Sequence, residues 1–115
     1  MARSFEEIIA EAKAKHFDER AKTIRGNYRF DVEGQGSYRI EVDRGRIAVR
    51  EDSGPADCVI ALGAEDFVRV IEGEQNMITA YMQGRLRIDG SLGLAKAFHG
   101  AIGIPRAQQP QGVRP

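Results

Sequence analysis

The sequence predicts an α+β domain in which a five-stranded, mostly antiparallel sheet carries helices on one face. Apolar residues recur at helical spacing near the amino terminus, and helical spacing returns after Gly63. Between these regions, three segments within residues 28–50 alternate apolar and charged positions. Residues 58–62 and 85–89 supply a fourth and a fifth strand. At 115 residues, the chain is long enough for one domain with its own core.

The first helix begins at a capping box, because Ser4 is followed three residues later by Glu7. One narrow apolar stripe follows at helical spacing, formed by Phe5, Ile8, Ile9 and Ala12. A helix with such a stripe covers a core from outside. Beyond it, we interpret Phe17 as a core anchor and residues 21–24 as a short helix that ends at Gly26.

Alternation with a period of two then predicts three strands joined by tight turns, which form an antiparallel meander. The apolar positions share one face and are Tyr28, Phe30, Val32, Tyr38, Ile40, Val42, Ile47 and Val49. The turns fall at residues 34–36 and 43–45. Since most alternate positions are charged, one face of the sheet packs on the core and the other faces solvent.

The fourth strand, residues 58–62, is apolar on both faces, so the period alone does not define its inner side. The larger side chains are expected to point to the core, and these are Cys58, Ile60 and Leu62. Val59 and Ala61 then lie outside with Ala48, either as scattered surface residues or as a subunit contact. A homodimer therefore stays open.

Two helices and a strand follow Gly63. The first helix is expected to stop at Gly73, and Asn76 can cap the second, over residues 77–82. After the fifth strand, Ser91 caps a last helix that reaches residue 102. We therefore predict a domain over residues 1–102 and a flexible Pro/Gln/Gly tail over residues 103–115.

Composition excludes several partners. Seventeen basic residues balance seventeen acidic ones, so no overall charge attracts nucleic acid or an anionic membrane. Cys58 is the single cysteine, which excludes an internal disulfide and a multi-cysteine metal site. The sequence contains no apolar run of about 18 residues and no secretory signal, so we expect a cytoplasmic protein without stable membrane insertion.

Catalytic signatures are also missing. His16 and His99 are the only histidines, and Cys58 lies among apolar residues, where a thiol is unreactive. No segment brings together a nucleophile, a base and an oxyanion donor. We therefore expect no catalytic residue, no metal, no cofactor and no enzyme activity.

The two late helices carry more apolar surface than one stripe requires. Residues 77–82 read Met-Ile-Thr-Ala-Tyr-Met, and residues 92–102 interleave apolar residues with small ones. The excess is buried in a tight core, against a subunit or a membrane, or by an apolar ligand. Methionine favours the ligand, because its flexible thioether adapts to varied partners.

Three segments together resemble the sterol carrier protein 2 domain family. They are Ala-Asp-Cys-Val-Ile-Ala-Leu at residues 56–62, Glu-Asp-Phe at residues 65–67 and Met-Gln-Gly-Arg-Leu-Arg-Ile-Asp-Gly at residues 82–90. Arg85 and Arg87 replace the family's lysines. The order of helices and strands agrees as well, and the resemblance covers about residues 4–102.

This resemblance implies an apolar tunnel between the sheet and the helices, and a free-standing, bacterial-type member of the family. It implies a non-catalytic carrier of fatty acid, acyl-CoA, sterol-like or isoprenoid molecules. We expect the ligand-binding residues to be Phe67, Ile71, Met77, Tyr81, Met82, Gln83, Leu86, Ile88, Leu92, Leu94, Ala95 and Phe98. Among them, Tyr81 and Gln83 are the expected polar anchors.

Two other functions stay open. In the first, the protein is an accessory subunit that presents a hydrophobic intermediate, such as a quinone precursor, to a partner enzyme. Alternatively, it is a structural dimer module whose core is filled.

Overall fold

The computed structural model describes residues 4–98. The elements in chain order are α1 (Phe5–Ala14), a 3₁₀ turn (Glu19–Ala21), β1 (Arg25–Val32), β2 (Gly36–Asp43), β3 (Arg46–Glu51), β4 (Cys58–Leu62), α2 (Ala64–Ile71), α3 (Met77–Met82), β5 (Arg87–Gly90) and α4 (Leu92–Phe98). The end of the predicted last helix, residues 99–102, and the predicted tail, residues 103–115, lie outside the described residues.

The five strands form one sheet in the order β3-β2-β1-β4-β5. β1, β2 and β3 form the predicted meander, with Phe30 opposite Tyr38 and Ile40 opposite Val49. β4 pairs antiparallel with β5 but parallel with β1. The predicted α+β fold with a mostly antiparallel sheet is therefore confirmed, and the central pair makes the sheet mixed.

The parallel pair requires the chain to cross the sheet after β3, and arginines on the outer face hold this crossing segment. Arg29 donates to the carbonyl oxygens of Ser53 and Gly54, both at 3.0 Å. Arg39 donates to the carbonyl oxygen of Pro55 at 2.5 Å. These bonds supply acceptor partners to the guanidinium groups and fix the loop that carries the chain from β3 to β4.

Helices cover the opposite, inner face of the sheet. The ring of Phe5 in α1 lies 5.5 Å from the rings of Tyr38 in β2 and Phe67 in α2, measured between centroids. The ring of Phe98 in α4 lies 5.5 Å from that of Phe30 in β1. The predicted inward residues of β4 are all buried, and these are Cys58, Ile60 and Leu62. The core therefore lies between one sheet face and the helices.

The interpretation of Phe17 as a core anchor is wrong, because 55% of this residue is exposed. Residues 16–18 run beside the start of β3, where Phe17 forms a bridge with Arg46. The amide of Asp18 donates to the carbonyl oxygen of Gly45 at 2.8 Å. Since Arg46 lies on the outer face, this pairing turns Phe17 away from the helices.

Two element boundaries also differ from the prediction. The expected short helix over residues 21–24 is a 3₁₀ turn at Glu19–Ala21. β5 begins at Arg87 rather than at residue 85, because the chain is still closing α3 there. The amide of Arg85 donates to the carbonyl oxygen of Ala80 at 2.9 Å, and Gly84 has a φ of +78°. This is the left-handed helix ending that glycine favours.

The predicted helix starts are confirmed. Ser4 and Glu7 form both hydrogen bonds of the capping box. The side chain of Asn76 accepts from the amide of Thr79 at 3.0 Å, and that of Ser91 accepts from the amide of Leu94 at 3.0 Å. Across residues 4–98, none of the helices has the length and apolarity needed to cross a membrane.

Candidate functional site

The residues predicted to bind a ligand divide into a buried and an exposed set. Seven are buried between the helices and the sheet, and these are Phe67, Ile71, Met77, Leu86, Ile88, Ala95 and Phe98. Leu94 is half-buried and packs against them. This set comes from α2, α3, β5, α4 and the turn before β5, so the structure brings these parts of the chain to one side of the sheet.

The remaining four predicted residues lie at the surface. Met82 is 79% exposed, Leu92 is 49% exposed and Tyr81 is 39% exposed. Gln83 is also exposed, and its side-chain oxygen accepts from Arg85 at 3.0 Å. Tyr81, Met82 and Gln83 end α3, while Leu92 begins α4.

Aromatic rings fill the interior beneath α2 and α4. We call the group Phe5, Tyr28, Phe30, Phe67 and Phe98 the aromatic cluster. The rings of Phe30 and Phe67 meet edge-on with centroids 5.3 Å apart, as do those of Tyr28 and Phe98 at 5.2 Å, while Tyr28 and Phe30 are stacked at 6.5 Å. Such geometries are the favourable ones for aromatic pairs. In this structure Phe98 therefore occupies space between α4 and β1.

A contact that the sequence did not reveal holds α4 against β1. The hydroxyl of Tyr28 donates to the main-chain carbonyl oxygen of Leu94 at 2.7 Å. A Cβ atom on Gly26 would lie 2.7 and 3.0 Å from the two terminal methyl carbons of Leu94, so a side chain there would displace them. The sequence signal for this contact is that Tyr28 occupies an inward position of a strand, because a buried tyrosine hydroxyl requires a hydrogen-bond partner.

Electrostatics keep this inner face uncharged. Burial, followed by the neighbouring Cys58, raises the pKa of Tyr28, so its hydroxyl remains a proton donor. Burial, followed by the charge of Asp57, raises the pKa of Cys58 to about 11. Both groups are neutral near pH 7, which suits the inner face to apolar molecules.

A polar link connects the end of α3 to α2. Arg85 donates to the side-chain oxygens of Asp66 at 3.2 Å and Gln75 at 2.8 Å, in addition to Gln83. The expected anchor Gln83 thus already serves as an acceptor for Arg85. Its amide nitrogen has no hydrogen-bond partner within residues 4–98.

Two cavities open elsewhere on the molecule. One of about 480 Å³ includes the cross-strand row Ser37, Asp31, Ala61 and Arg87 on the outer sheet face. The other, of about 960 Å³, is lined by residues that include Phe17, Glu41 and Ala48. No residue of α2, α3 or α4 lines either one. Of the residues predicted to bind a ligand, Leu86 lines the smaller cavity.

The inner face offers apolar burial and little reactive chemistry. Within residues 4–98, no group of three or more histidine, cysteine, aspartate or glutamate residues is arranged to hold a metal ion. The inward polar groups on the strands are Tyr28, Tyr38 and the thiol of Cys58. The arrangement fits an alkyl or isoprenoid chain better than a charged substrate.

Comparison with known sequences identifies relatives of this chain. The sequence pattern of the SCP-2 sterol transfer family matches residues 5–103. Hydroxysteroid dehydrogenase-like protein 2 of Xenopus laevis is 30% identical over 95 residues, which cover 79% of this chain and 23% of that protein. This chain thus spans less than a quarter of that relative's length.

Solved structures share the fold. The sterol carrier protein domain 2 of Helicoverpa armigera has a TM-score of 0.60 at 25% identity, covering 89% of this chain and 87% of that one. The ubiquinone synthesis protein UbiJ-SCP2 has a TM-score of 0.64 at 17% identity, covering 85% and 91%. Sterol carrier protein 2 of Aedes aegypti, in complex with palmitate, has a TM-score of 0.62 at 15% identity, covering 82% and 93%.

Proposed function

The chain belongs to the SCP-2 sterol transfer family, and we propose that it is a non-catalytic carrier of apolar lipids. The guest lies between the sheet and helices α2, α3 and α4. A fatty acid is the ligand class we favour, within a set that includes acyl-CoA, sterol-like and isoprenoid molecules.

The observation that carries this proposal is the distribution of apolar side chains on α3 and α4. One side of each helix closes the core, with Met77 at 1% and Phe98 at 1% exposure. Other positions on the same helices leave Met82 and Leu92 largely in solvent. Exposed apolar side chains beside a core of this kind are available to contact an apolar ligand.

The energetics of an alkyl chain support the proposal. Burying one CH₂ group contributes about 0.8 kcal/mol, so 16 carbons contribute roughly 12 kcal/mol before any cost. Association and ordering oppose this by about 4–15 kcal/mol. At the low end of this cost, a net gain of about 8 kcal/mol remains, which corresponds to a dissociation constant of about 1 μM. Discrimination among chains of similar length is weak.

A solved relative supports the choice of probe. The Aedes aegypti protein with this fold is described in complex with palmitate, a C16 fatty acid. Palmitate is therefore the reference competitor for this chain, against which acyl-CoA and isoprenoid lipids are compared.

The test is displacement of a fluorescent fatty acid by palmitate, followed by emission intensity at increasing lipid concentration. We expect saturable, one-to-one uptake in the micromolar range. Leu92→Ser on α4 weakens it several-fold, whereas Val59→Ser on the outer face of β4 leaves it unchanged. A folded protein that shows no saturable uptake at tens of micromolar lipid contradicts the proposal.

A second function is favoured by one comparison. UbiJ-SCP2, described as a ubiquinone synthesis protein, shares this fold. We therefore keep the accessory subunit, which presents a quinone precursor to a partner enzyme, as the alternative. In the same assay, a polyprenylated phenol that displaces the probe at a tenfold lower concentration than palmitate favours it, and equal or weaker displacement opposes it.

Cytoplasmic location and a homodimer stay predictions. Native mass spectrometry of the purified protein reports both the oligomeric state and any lipid that accompanies it. A dimer without lipid, combined with no uptake in the displacement assay, favours the structural module with a filled core.

A further inference from the structure

We propose that Tyr28 is a positioning residue whose hydrogen bond to α4 holds this helix closed over the sheet and sets the rate of lipid exchange. The proposal rests on the proposed carrier function and concerns the opening step of the same site. It assigns a role to the hydroxyl of Tyr28, which points from β1 toward the helices.

The contact links distant parts of the chain. The Tyr28 hydroxyl and the Leu94 carbonyl oxygen are 2.7 Å apart, and 66 residues separate the two in sequence. Tyr28 is fully buried. Within residues 4–98, no other side-chain hydrogen bond joins α4 to the sheet. The amide of Ser91 fixes the start of α4 by donating to the carbonyl oxygen of Asp57 at 2.9 Å, and the Tyr28 bond fixes the middle of the helix against β1.

Apolar contacts on both sides of this bond complete the closed position. Toward the start of β1, Leu94 packs where Gly26 has no side chain. Toward its middle, the ring of Phe98 rests on those of Tyr28 and Phe30, with centroids 5.2 and 5.5 Å away. Ala95, between the two, is fully buried. α4 thus packs on β1 through Leu94 and Phe98, while its backbone lies closer to α3, β4 and β5.

The two kinds of contact respond differently to an entering lipid. The methylene groups of an alkyl chain replace the apolar contacts of Leu94 and Phe98, because such contacts are not directional. A methylene group has no acceptor for the Tyr28 hydroxyl. While α4 is displaced, the buried donor is left without its partner, which is the expensive part of breaking a hydrogen bond. The bond therefore adds to the barrier for uptake and for release.

Tyr28→Phe removes the hydroxyl and keeps the ring. The matched control is Tyr38→Phe, because Tyr38 is also buried and its hydroxyl donates to the nearby carbonyl oxygen of Gln35 at 3.1 Å, away from α4. The first readout needs no lipid. Hydrogen exchange of the amides of residues 92–98 is expected to rise roughly tenfold in Tyr28→Phe, the factor that about 1.4 kcal/mol represents. It stays at the wild-type value in Tyr38→Phe.

The second readout is the release rate of a fluorescent fatty acid, measured by stopped-flow mixing with excess vesicles of phosphatidylcholine. Tyr28→Phe is expected to accelerate both release and uptake several-fold, so the dissociation constant changes less than either rate. A residue with only a structural role would lower stability and leave the rates at the values of Tyr38→Phe.

The outcomes separate this inference from the carrier function. If the protein takes up lipid but Tyr28→Phe and Tyr38→Phe release it at equal rates, or show equal amide exchange in α4, the role of Tyr28 is overturned and the carrier function is not. A wild-type protein that takes up no lipid overturns the carrier function and the transport role together. If Tyr28→Phe does not fold, Gly26→Ala displaces Leu94 while keeping the hydroxyl. Because only the terminal methyl groups of Leu94 have to shift in that variant, lipid release at the wild-type rate supports the role of the hydroxyl bond, and accelerated release overturns it.

Discussion

Phe98→Ala tests directly whether α4 closes a packed interior. Phe98 is 1% exposed, and its ring meets two others of the aromatic cluster, those of Tyr28 and Phe30. Losing the burial of a phenylalanine removes about 2–3 kcal/mol. The two ring pairs contribute about 1–2 kcal/mol more. A decrease of about 3–5 kcal/mol in the free energy of unfolding follows, in the range typical of this substitution.

The control is Phe17→Ala, the same change at a residue that is 55% exposed. We expect it to lower the free energy of unfolding by less than about 1 kcal/mol. Since the chain contains no tryptophan, far-ultraviolet circular dichroism follows unfolding in urea. At a typical slope of about 2 kcal/mol per molar, the midpoint of Phe98→Ala falls by roughly 2 M. Equal losses in the two variants would refute the packing argument.

Lipid gives the same variant a second, functional readout. The space that Phe98 vacates lies beside the region proposed for the alkyl chain. Palmitate is therefore expected to raise the urea midpoint of Phe98→Ala by more than that of the wild type, because ligand binding to the folded state stabilises it. A smaller shift in the variant would mean that the guest does not fill this space.

Further predictions concern single residues elsewhere. Gly90→Ala should lower the free energy of unfolding by about 2 kcal/mol or more, because φ is +98° and a Cβ atom would collide with a backbone carbonyl. Gly84→Ala is the control, since Gly84 also has a positive φ but lies in open space, and it should lower the free energy of unfolding by about 1 kcal/mol. The hydrogen-bonded guanidinium of Arg29 holds the pKa of Asp31 below its usual value. The interaction stabilises the folded protein above the pKa that Asp31 has in the unfolded chain, and this stabilisation is lost as the pH falls through the pKa of the folded state. The free energy of unfolding should therefore fall less steeply below about pH 4 in Asp31→Asn than in the wild type. The Cys58 thiol, buried with its pKa raised to about 11, should react with iodoacetamide at pH 8 only after urea unfolds the chain.

Elements with a strong local pattern were predictable from the sequence. The inward residues of the meander follow from a period of two between tight turns, and a one-residue slip would expose them all. The capping box at Ser4 and the caps at Asn76 and Ser91 are equally local, and the structure contains each of them. In these segments the side-chain order and the tertiary contacts favour the same structure.

Contacts between distant segments were not predictable in this way. Phe17 has a large apolar side chain of the kind found in cores, but the pairing of its backbone with Arg46 directs this side chain outward. The burial of Met77 and the exposure of Met82 depend on how α3 docks, although both belong to one apolar run. The bond from Tyr28 to Leu94 depends on α4 packing on β1, which no local period encodes.

Polar contacts on the outer face hold the loop between β3 and β4 without using α4 side chains. Asp57, at the end of the crossing loop, accepts from the amide of Asn27 at 3.0 Å. Arg39 is buried on the same face and forms an ion pair with Asp52, in which Nε of Arg39 lies 3.3 Å from a carboxylate oxygen. The Nε–H group of Arg39 is not aligned for a hydrogen bond. The Asp57 contact ties the end of the crossing loop to β1, and the Arg39 pair ties its beginning to β2.

The backbone pairing of β1 with β4, between residues 28–32 and 58–62, involves no residue of α4. Tyr28→Phe is therefore expected to leave the strand register unchanged, which hydrogen exchange of the β1 and β4 amides checks.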